Sequence, residues 1–360
     1  MTKRKSKADK GATKTAIVVA FRKEEDDLQA TVEAAANSAG AGATIYQVED
    51  KDRSGPGANR HRGIEAAEDA EVILIIDAHM RFQGDVLARM VAHVKKHSGL
   101  VTALCHHNEE CSFTGKGGHF YAGARIVYRV RDDQGQKVLD AKWARDNTPG
   151  ERACVMGACY AFRRDWYYDA GQPLSILTGW GCDEQVLSIA AWLTGHMPLV
   201  LDGHVAHRWR SSPPWAVTRE ERMAVIASRA AMVHCLVSNA SDRQDLIAWG
   251  NLPDVPFSPA VERFKNAMVN ARRKWRAWRA QVCEPDEIDG RQEPVATIPT
   301  STPRRFHSQT PLVARTGTKC PHCGNIHEHP PVTHTYPNGN KRHQCPTCAN
   351  FFMSYLRATA

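Results

Sequence analysis

Apolar and polar positions at the start of the chain change repeatedly between strand-like and helix-like spacing. Residues 16–21 (AIVVAF) form a short apolar run rich in β-branched residues, which is typical of a buried strand. Residues 24–38 carry apolar positions at helical spacing, residues 44–48 predict a second strand, and residues 58–68 suit a helix. Residues 71–76 (EVILII) predict another buried strand. This alternation predicts an α/β fold, a mostly parallel mixed sheet with helices on both faces.

The rest of the chain is less regular. Extended stretches are predicted at 124–131 and 155–163, and a helix at 183–194. Residues after 217 have a helical pattern that is interrupted near Pro253–Pro259. We therefore divide the chain into a basic tail (1–14), an α/β domain (15–217), a helical basic extension (218–283), a Pro-, Thr- and Ser-rich flexible linker (284–317) and a cysteine-containing C-terminal domain (318–360).

The composition limits the class of protein. With 42% hydrophobic and 24% charged residues, the chain fits a soluble globular protein. Its apolar runs fall short of the roughly 20 residues that span a bilayer. The basic start is followed by too short an apolar run for a signal peptide. We therefore expect a cytoplasmic protein without a membrane partner.

The formal net charge of +8 is concentrated in two stretches of the chain. One is the basic tail, and the other is residues 263–279, where Trp275 and Trp278 are interleaved with basic residues. Basic stretches are often only solvated surface. Two of them, in a chain whose C-terminal domain carries two CPxC pairs typical of a zinc site, favour a polyanionic partner.

Asp77 and His79 follow the buried strand at 71–76. Two residues apart in an extended chain, their side chains can point the same way, and ligands of such sheets bind beyond the carboxyl ends of the strands. A carboxylate and an imidazole suit Mn²⁺ beside a phosphate. Taken alone, the tripeptide is explained better by a strand-end Asp and a surface His than by a metal site.

Four stretches place this tripeptide in a larger pattern. They are residues 55–64 (GPGANRHRGI), residues 75–79 (IIDAH), residues 155–162 together with 179–184 (GWGCDE), and residues 207–215, which begin HRWR. In this order they resemble the GPxxARNxGI segment, the DxD or DxH strand end, the WGGED or WGGEN segment and the HxxR…PY segment of GT-A glycosyltransferases. The resemblance is to the family 2 enzymes and the polypeptide N-acetylgalactosaminyltransferases.

This resemblance implies a GT-A fold and transfer of a sugar from a nucleotide sugar, with UDP as the usual nucleotide. It implies that Asp77, His79 and His207 bind Mn²⁺ or Mg²⁺, with His204 as a second choice for the third ligand. It implies that either Asp50 or Asp52 contacts the uracil and that either Arg60 or Arg210 lies near the phosphates. Trp180 is either a platform for the sugar or acceptor, or part of the core. The implied nucleotide-sugar site comprises Asp50, Asp52, Arg53, Gly55, Arg60, Asp77, Ala78, Trp180 and Arg210.

Transfer with inversion needs a base for the acceptor hydroxyl, and Asp183 and Glu184 are the candidates. The alternative is that these acids cap a helix and complement its dipole. The sequence departs from the family pattern at Cys182, which stands where the family has glycine. It also has one predicted strand between the first helix and residue 55, where the family usually has two.

Two CPxC pairs, separated by 21 residues, lie near the C-terminus. Cys320, Cys323, Cys345 and Cys348 predict a closed tetrahedral zinc site with a hairpin between the pairs. The segment resembles zinc ribbons of transposases and transcription factors, and it could bind DNA or protein.

Together these features predict a metal-dependent glycosyltransferase that acts on a hydroxymethylated pyrimidine in DNA, with 5-hydroxymethylcytosine favoured. Bacteriophages use such hypermodification chemistry, and a phage enzyme would work in the host cytoplasm. One alternative is a glycosyltransferase with a protein or glycan acceptor. The other is a DNA-binding scaffold with a degenerate transferase domain.

Overall fold

A computed structural model gives the fold. It describes residues 14–23, 25–113, 119–132, 135–208, 217–255 and 257–288, and three short strands between residues 332 and 354. The chain divides into two compact units, Met1–Val295 and Ala296–Ala360.

In the first unit, twelve strands among the described residues form one mixed sheet. They are β1 (Thr15–Phe21), β2 (Ala43–Glu49), β3 (Val72–Asp77), β4 (Met80–Phe82), β5 (Leu100–Asn108), β6 (His119–Asp132), β7 (Gly135–Arg145), β8 (Gly150–Glu151), β9 (Cys159–Arg163), β10 (Pro198–Arg208), β11 (Cys283–Glu284) and β12 (Glu287–Ile288). The helices are α1 (Leu28–Ala39), α2 (Pro56–Ala66), α3 (Val86–His97), α4 (Arg164–Asp169), α5 (Asp183–Thr194), α6 (Arg219–Leu236), α7 (Ala240–Gly250), α8 (Pro259–Ala267) and α9 (Trp275–Gln281). Short 3-10 turns cover Pro173–Ile176 and Ala271–Lys274.

The central strand order is β6-β5-β9-β3-β1-β2. Strand β1 pairs in parallel with β2 and β3, and β10 pairs in parallel with β5. Strand β9 is antiparallel to both β3 and β5. The predicted α/β fold is therefore confirmed, with more antiparallel pairing than the sequence pattern alone indicated.

The sheet is buried on both faces, and the alternation of side chains along β1 shows this directly. Ile17 and Val19 pack in a core with α1 and α3. Ala16 and Val18 point the other way, into a second core that includes residues of α2, α5 and α6. Because successive strand residues face opposite sides, the continuous apolar run at the start of the chain requires helices on both faces.

The helices after residue 217 contribute to the second core. Met232 and Val233 of α6 are buried there, and so are Trp275 and Trp278. Trp275 also donates its indole N–H to Asp242 at 2.7 Å. The two tryptophans of the basic stretch are thus structural and do not lie on a nucleic-acid-binding surface.

Residues at the start of the predicted linker belong to the sheet. Strands β11 and β12 pair with β6, and Arg125 forms ion pairs with Glu284 and Glu287. Arg129 forms another with Asp286. The linker prediction fails for residues 284–288 because main-chain pairing and these ion pairs offset their low apolar content. The rest of the linker, and the basic tail before Lys14, lie outside the described residues.

The second unit contains β13 (Val332–Thr335), β14 (Lys341–Gln344) and β15 (Phe351–Ser354) in an antiparallel sheet. Pairing of β13 with β14 agrees with the predicted hairpin between the two CPxC pairs. The cysteines Cys320, Cys323, Cys345 and Cys348 lie outside the described residues, so the zinc site stays a prediction.

One finding concerns membranes. No helix in the described ranges is both long enough and apolar enough to cross a bilayer.

Replacing Trp275 tests the packing of the helices after residue 217. Trp275→Ala should lower the free energy of unfolding by about 3–5 kcal/mol, since it empties a fully buried site and leaves Asp242 without its indole donor. Arg276→Ala, on the exposed side of the same helix, is the control and should change it by less than about 0.5 kcal/mol. Urea unfolding measures both values. Equal small effects would show that Trp275 is not in the core.

Candidate active site

The turn after β3 carries the first two candidate ligands. Asp77 is the last residue of β3, and His79 lies between β3 and β4. The Thr31 hydroxyl of α1 donates to the Ala78 carbonyl at 2.9 Å and accepts from the Met80 N–H at 3.0 Å. This bridge from a neighbouring helix holds the turn in place.

Strand β10 carries the third candidate ligand to the same place. His207 lies opposite Met80 in the antiparallel pairing of β10 with β4. One potential ligand atom from each of Asp77, His79 and His207 lies within 4.8 Å of the others. His207 Nε2 is 3.4 Å from Asp77 Oδ2, and the two imidazole rings are 4.7 Å apart. A carboxylate and two imidazoles at this spacing fit one divalent ion.

His204, the second choice for a ligand, is not part of this group. It lies three positions before His207 on β10, so in a strand its side chain faces the other side of the sheet. Its ring packs against Phe120 at a centroid distance of 5.4 Å. Strand alternation therefore decides between the two histidines.

Arg60 connects the ligand group to the candidate base region. Its side chain is 4% exposed, and its guanidinium forms ion pairs with both Asp77 and Asp183. The Tyr160 hydroxyl lies 3.4 Å from Arg60 and donates to Asp183 at 3.3 Å. Arg60 projects from the buried face of α2 and is bound by these two carboxylates, and its position near the phosphates stays a prediction. The alternative arginine, Arg210, lies outside the described residues.

The charge of Arg60 controls the protonation of Asp77. Burial alone would raise the pKa of Asp77, but Arg60 and the hydrogen bond with His207 hold that pKa below its usual range. Burial raises the pKa of Asp183, although Arg60 opposes the rise. Asp77 is therefore ionised at neutral pH, as a metal ligand must be.

Of the two candidate bases, Glu184 is the more basic and Asp183 the less basic. It lies beside Gly157, where a Cβ atom would be 2.5 Å from Glu184 Oε2. Burial and the neighbouring Asp183 raise the pKa of Glu184 to about 8, although hydrogen bonding from Gly157 and Trp143 lowers it. Asp183 is bound by Arg60, so Glu184 is the better base of the two.

Neither acid is the capping residue of α5, so only the dipole part of the helix alternative is supported. Cys182 is the N-cap residue of α5, and Asp183 and Glu184 lie in the first turn. Their position there is still favourable to the helix dipole. Cys182 has φ 70°, in the left-handed region, which explains why the family pattern has glycine at this position.

Trp180 lies between Gly179 and Gly181, both with positive φ, and it is 73% exposed. This exposure excludes the alternative in which Trp180 is a core residue. An exposed indole, four residues before Glu184 in the sequence, is suited to stacking on a sugar or a base.

Trp143 of β7 is a site residue that the sequence reasoning missed. Its ring lies 4.8 Å from that of His107 and 6.1 Å from that of His207. Burial and His207 lower the pKa of His107 to about 3, so this neighbour is neutral and adds no positive charge at the ligand group. The apolar residues at every second position, Leu139, Ala141 and Trp143, are the signal that could have predicted this strand.

The loop after β2 carries the residues that the sequence assigns to nucleotide binding. The carboxylate of Asp50 is buried and accepts from Arg22 Nε at 3.1 Å, from the Ser54 hydroxyl at 3.3 Å and from the Gly55 N–H at 3.3 Å. These internal donors make Asp50 a support for the loop. A Cβ on Gly55 would lie 1.8 Å from the Gly179 carbonyl oxygen, so this contact requires glycine.

Asp52 and Arg53, in the same loop as Asp50, are more accessible to solvent than Asp50. Asp52 is exposed, and its ion pair with Arg62 at 3.0 Å lowers the pKa of Asp52 to about 2. Arg53 is half-exposed and lies 3.6 Å from Glu221 of α6. Of the two predicted uracil-contacting carboxylates, Asp52 is thus the one with oxygens that reach the surface.

Comparison with known proteins bears on this site. Residues 16–170 match the family described as Glycosyl transferase family 2. The matched residues include Arg60, Asp77 and His79. No curated protein matches the chain in sequence.

Among solved structures, the crystal structure of GalNAc-T7 with UDP, GalNAc and Mn²⁺ is similar to this fold. The TM-score is 0.52 at 15% identity, over 75% of this chain and 58% of that chain. The chain thus spans little more than half of GalNAc-T7. The structure of S. aureus TarS 1-349 in complex with UDP-GlcNAc gives a TM-score of 0.39 at 11% identity, over 75% of this chain and 76% of that chain. The predicted GT-A glycosyltransferase fold is confirmed.

Removal of the Arg60 guanidinium should leave two buried carboxylates without their cation. Arg60→Met should therefore reduce the free energy of unfolding by about 3–5 kcal/mol at pH 8. In the wild type, the lowered pKa of Asp77 stabilises the fold above its unfolded value of about 4. Without Arg60, burial raises the folded pKa of both carboxyl groups, so the deficit should be smaller at pH 5 than at pH 8.

Denaturant unfolding at the two pH values measures this deficit, and Arg62→Met is the exposed control. A deficit that is independent of pH would show that Arg60 acts through packing and not through the charge on Asp77 and Asp183.

Proposed function

We propose that this protein is a metal-dependent glycosyltransferase that moves a sugar from a nucleotide sugar, with UDP favoured, to a hydroxymethylated pyrimidine in DNA. The observation that supports the transferase most strongly is the convergence of Asp77, His79 and His207 at the strand ends of a family 2 fold. 5-Hydroxymethylcytosine is the favoured acceptor, because its hydroxymethyl group supplies a hydroxyl that ordinary bases lack.

The residues of the site have separate roles in this proposal. A Mn²⁺ or Mg²⁺ ion held by Asp77, His79 and His207 would stabilise the negative charge of the departing diphosphate. Arg60 keeps Asp77 ionised. Glu184 accepts the proton of the acceptor hydroxyl while the sugar is transferred with inversion. Trp180 offers an exposed ring on which the acceptor can stack.

Nucleic acid as the acceptor is supported by the charge of the helices after residue 217. Trp275 and Trp278 are buried, whereas several basic residues of the stretch 263–279 face outward. The exposed cations of this surface are Arg263, Arg273, Lys274 and Arg276. Such a surface suits the phosphate backbone of DNA. A zinc site at Cys320, Cys323, Cys345 and Cys348 would add a second contact with DNA, and a cytoplasmic location would supply both substrates.

Transfer to DNA can be measured directly. The wild-type protein should add one hexose to DNA that contains 5-hydroxymethylcytosine when it is incubated with Mn²⁺ and a panel of UDP-sugars. Digestion to nucleosides and mass spectrometry detect the product. Unmodified DNA and EDTA are the controls, and Asp77→Asn should remove the activity because it weakens the metal site.

Other outcomes would redirect the proposal. Transfer to protein or glycan but not to DNA would retain the enzyme and replace the acceptor. No consumption of any donor, with Asp77→Asn indistinguishable from the wild type in DNA binding, would favour a non-catalytic scaffold.

The pH dependence tests the role of Glu184. The value of kcat/KM should rise with pH and level off above about 8, because the base must lose its proton. Glu184→Gln should reduce kcat by about 10²–10⁴-fold and abolish this rise. Asp69→Asn, at a side chain that is 77% exposed and outside the proposed site, is the control. An unchanged profile in Glu184→Gln would assign the base elsewhere.

A further inference from the structure

A buried acid outside the proposed ligand group contacts one of its histidines. Glu25 lies between β1 and α1, and its side chain is 3% exposed. Its Oε2 atom is 3.0 Å from His79 Nδ1, and its Oε1 atom accepts from the Asp27 N–H at 3.3 Å. The carboxylate is thus held at both oxygens while it faces the imidazole.

The contact with Glu25 determines which ring nitrogen of His79 carries the proton. A carboxylate only accepts hydrogen bonds, so His79 Nδ1 must carry the proton in this contact. The lone pair of a neutral His79 is then on Nε2, the nitrogen left to bind a metal. The contact also restricts rotation of the ring, which lies 4.7 Å from that of His207.

We infer that Glu25 is a positioning residue for the metal site, which selects the tautomer and orientation of His79. This inference rests on the proposed function, because it takes Asp77, His79 and His207 as ligands. Carboxylates that accept from the second nitrogen of a ligating histidine affect metal affinity by about 10–100-fold. Sequence reasoning missed Glu25 because it lies 54 residues from His79 along the chain.

A purely structural role for Glu25 is the competing explanation, since Oε1 also bonds the backbone at Asp27. Two variants separate the roles. Glu25→Ala removes the acceptor, whereas Glu25→Gln keeps an oxygen that can accept from Nδ1. Asp26→Asn is the matched control, because the adjacent Asp26 side chain is 77% exposed.

The experiment is Mn²⁺ titration of the full-length protein without donor or acceptor, with free Mn²⁺ measured by EPR. Thermal melts in EDTA identify variants that lose the fold. Glu25→Ala should raise the Kd for Mn²⁺ by about 10–100-fold, whereas Glu25→Gln should recover most of the affinity and Asp26→Asn should match the wild type. In the metal-free protein, ¹⁵N NMR should find the proton of neutral His79 on Nδ1 in the wild type and a mixture of tautomers in Glu25→Ala.

The outcomes distinguish this inference from the proposed function. If the wild type binds Mn²⁺, His207→Ala does not, and Glu25→Ala binds as well as Asp26→Asn with an unchanged tautomer, the positioning role of Glu25 is overturned alone. If neither the wild type nor His207→Ala binds Mn²⁺, the metal site and the inference fail together.

Discussion

The buried ion pairs of Arg60 with Asp77 and Asp183 are the constraint on which the candidate site depends. One guanidinium joins the end of β3 to the beginning of α5, and so joins the proposed ligand group to the segment that carries the proposed base. Without a cation between them, the partly buried Asp77 and the buried Asp183 would repel each other, and the pKa of each would rise. Arg60 therefore fixes both the spacing and the ionisation of the site.

The sheet determines where these groups meet. β3 and β10 end at the same edge, and β4 aligns Met80 with His207. The DxH turn and the third ligand therefore come together, although His79 and His207 lie 128 positions apart in the sequence. Gly55, Gly179 and Cys182 all have positive φ, and the absence of a side chain at Gly55 lets its loop approach the loop at Gly179 closely. The chemistry at the site is thus a consequence of strand register and of a few special backbone positions.

The sequence predicts the parts of this arrangement that depend on local pattern. The apolar runs at β1 and β3 predict the two-sided sheet, and the spacing of Asp77 and His79 predicts a shared direction. It does not predict that Arg60 turns inward or that Trp143 and Glu25 reach the site, since those contacts depend on tertiary packing. For Trp275 and Trp278 the sequence pattern is misleading. Basic and aromatic residues in alternation suggest a binding surface, but the pattern does not reveal which side of a helix is buried, and both tryptophans lie in the core.

The central claim is that Asp77, His79 and His207 bind one metal ion at the carboxyl ends of the strands. Crystals grown with Mn²⁺ and UDP, measured at the manganese absorption edge, test this most directly. The account predicts an anomalous peak about 2.0–2.3 Å from an oxygen of Asp77 and from one nitrogen of each histidine. A peak bound elsewhere, with these three side chains making no contact to manganese, would contradict it.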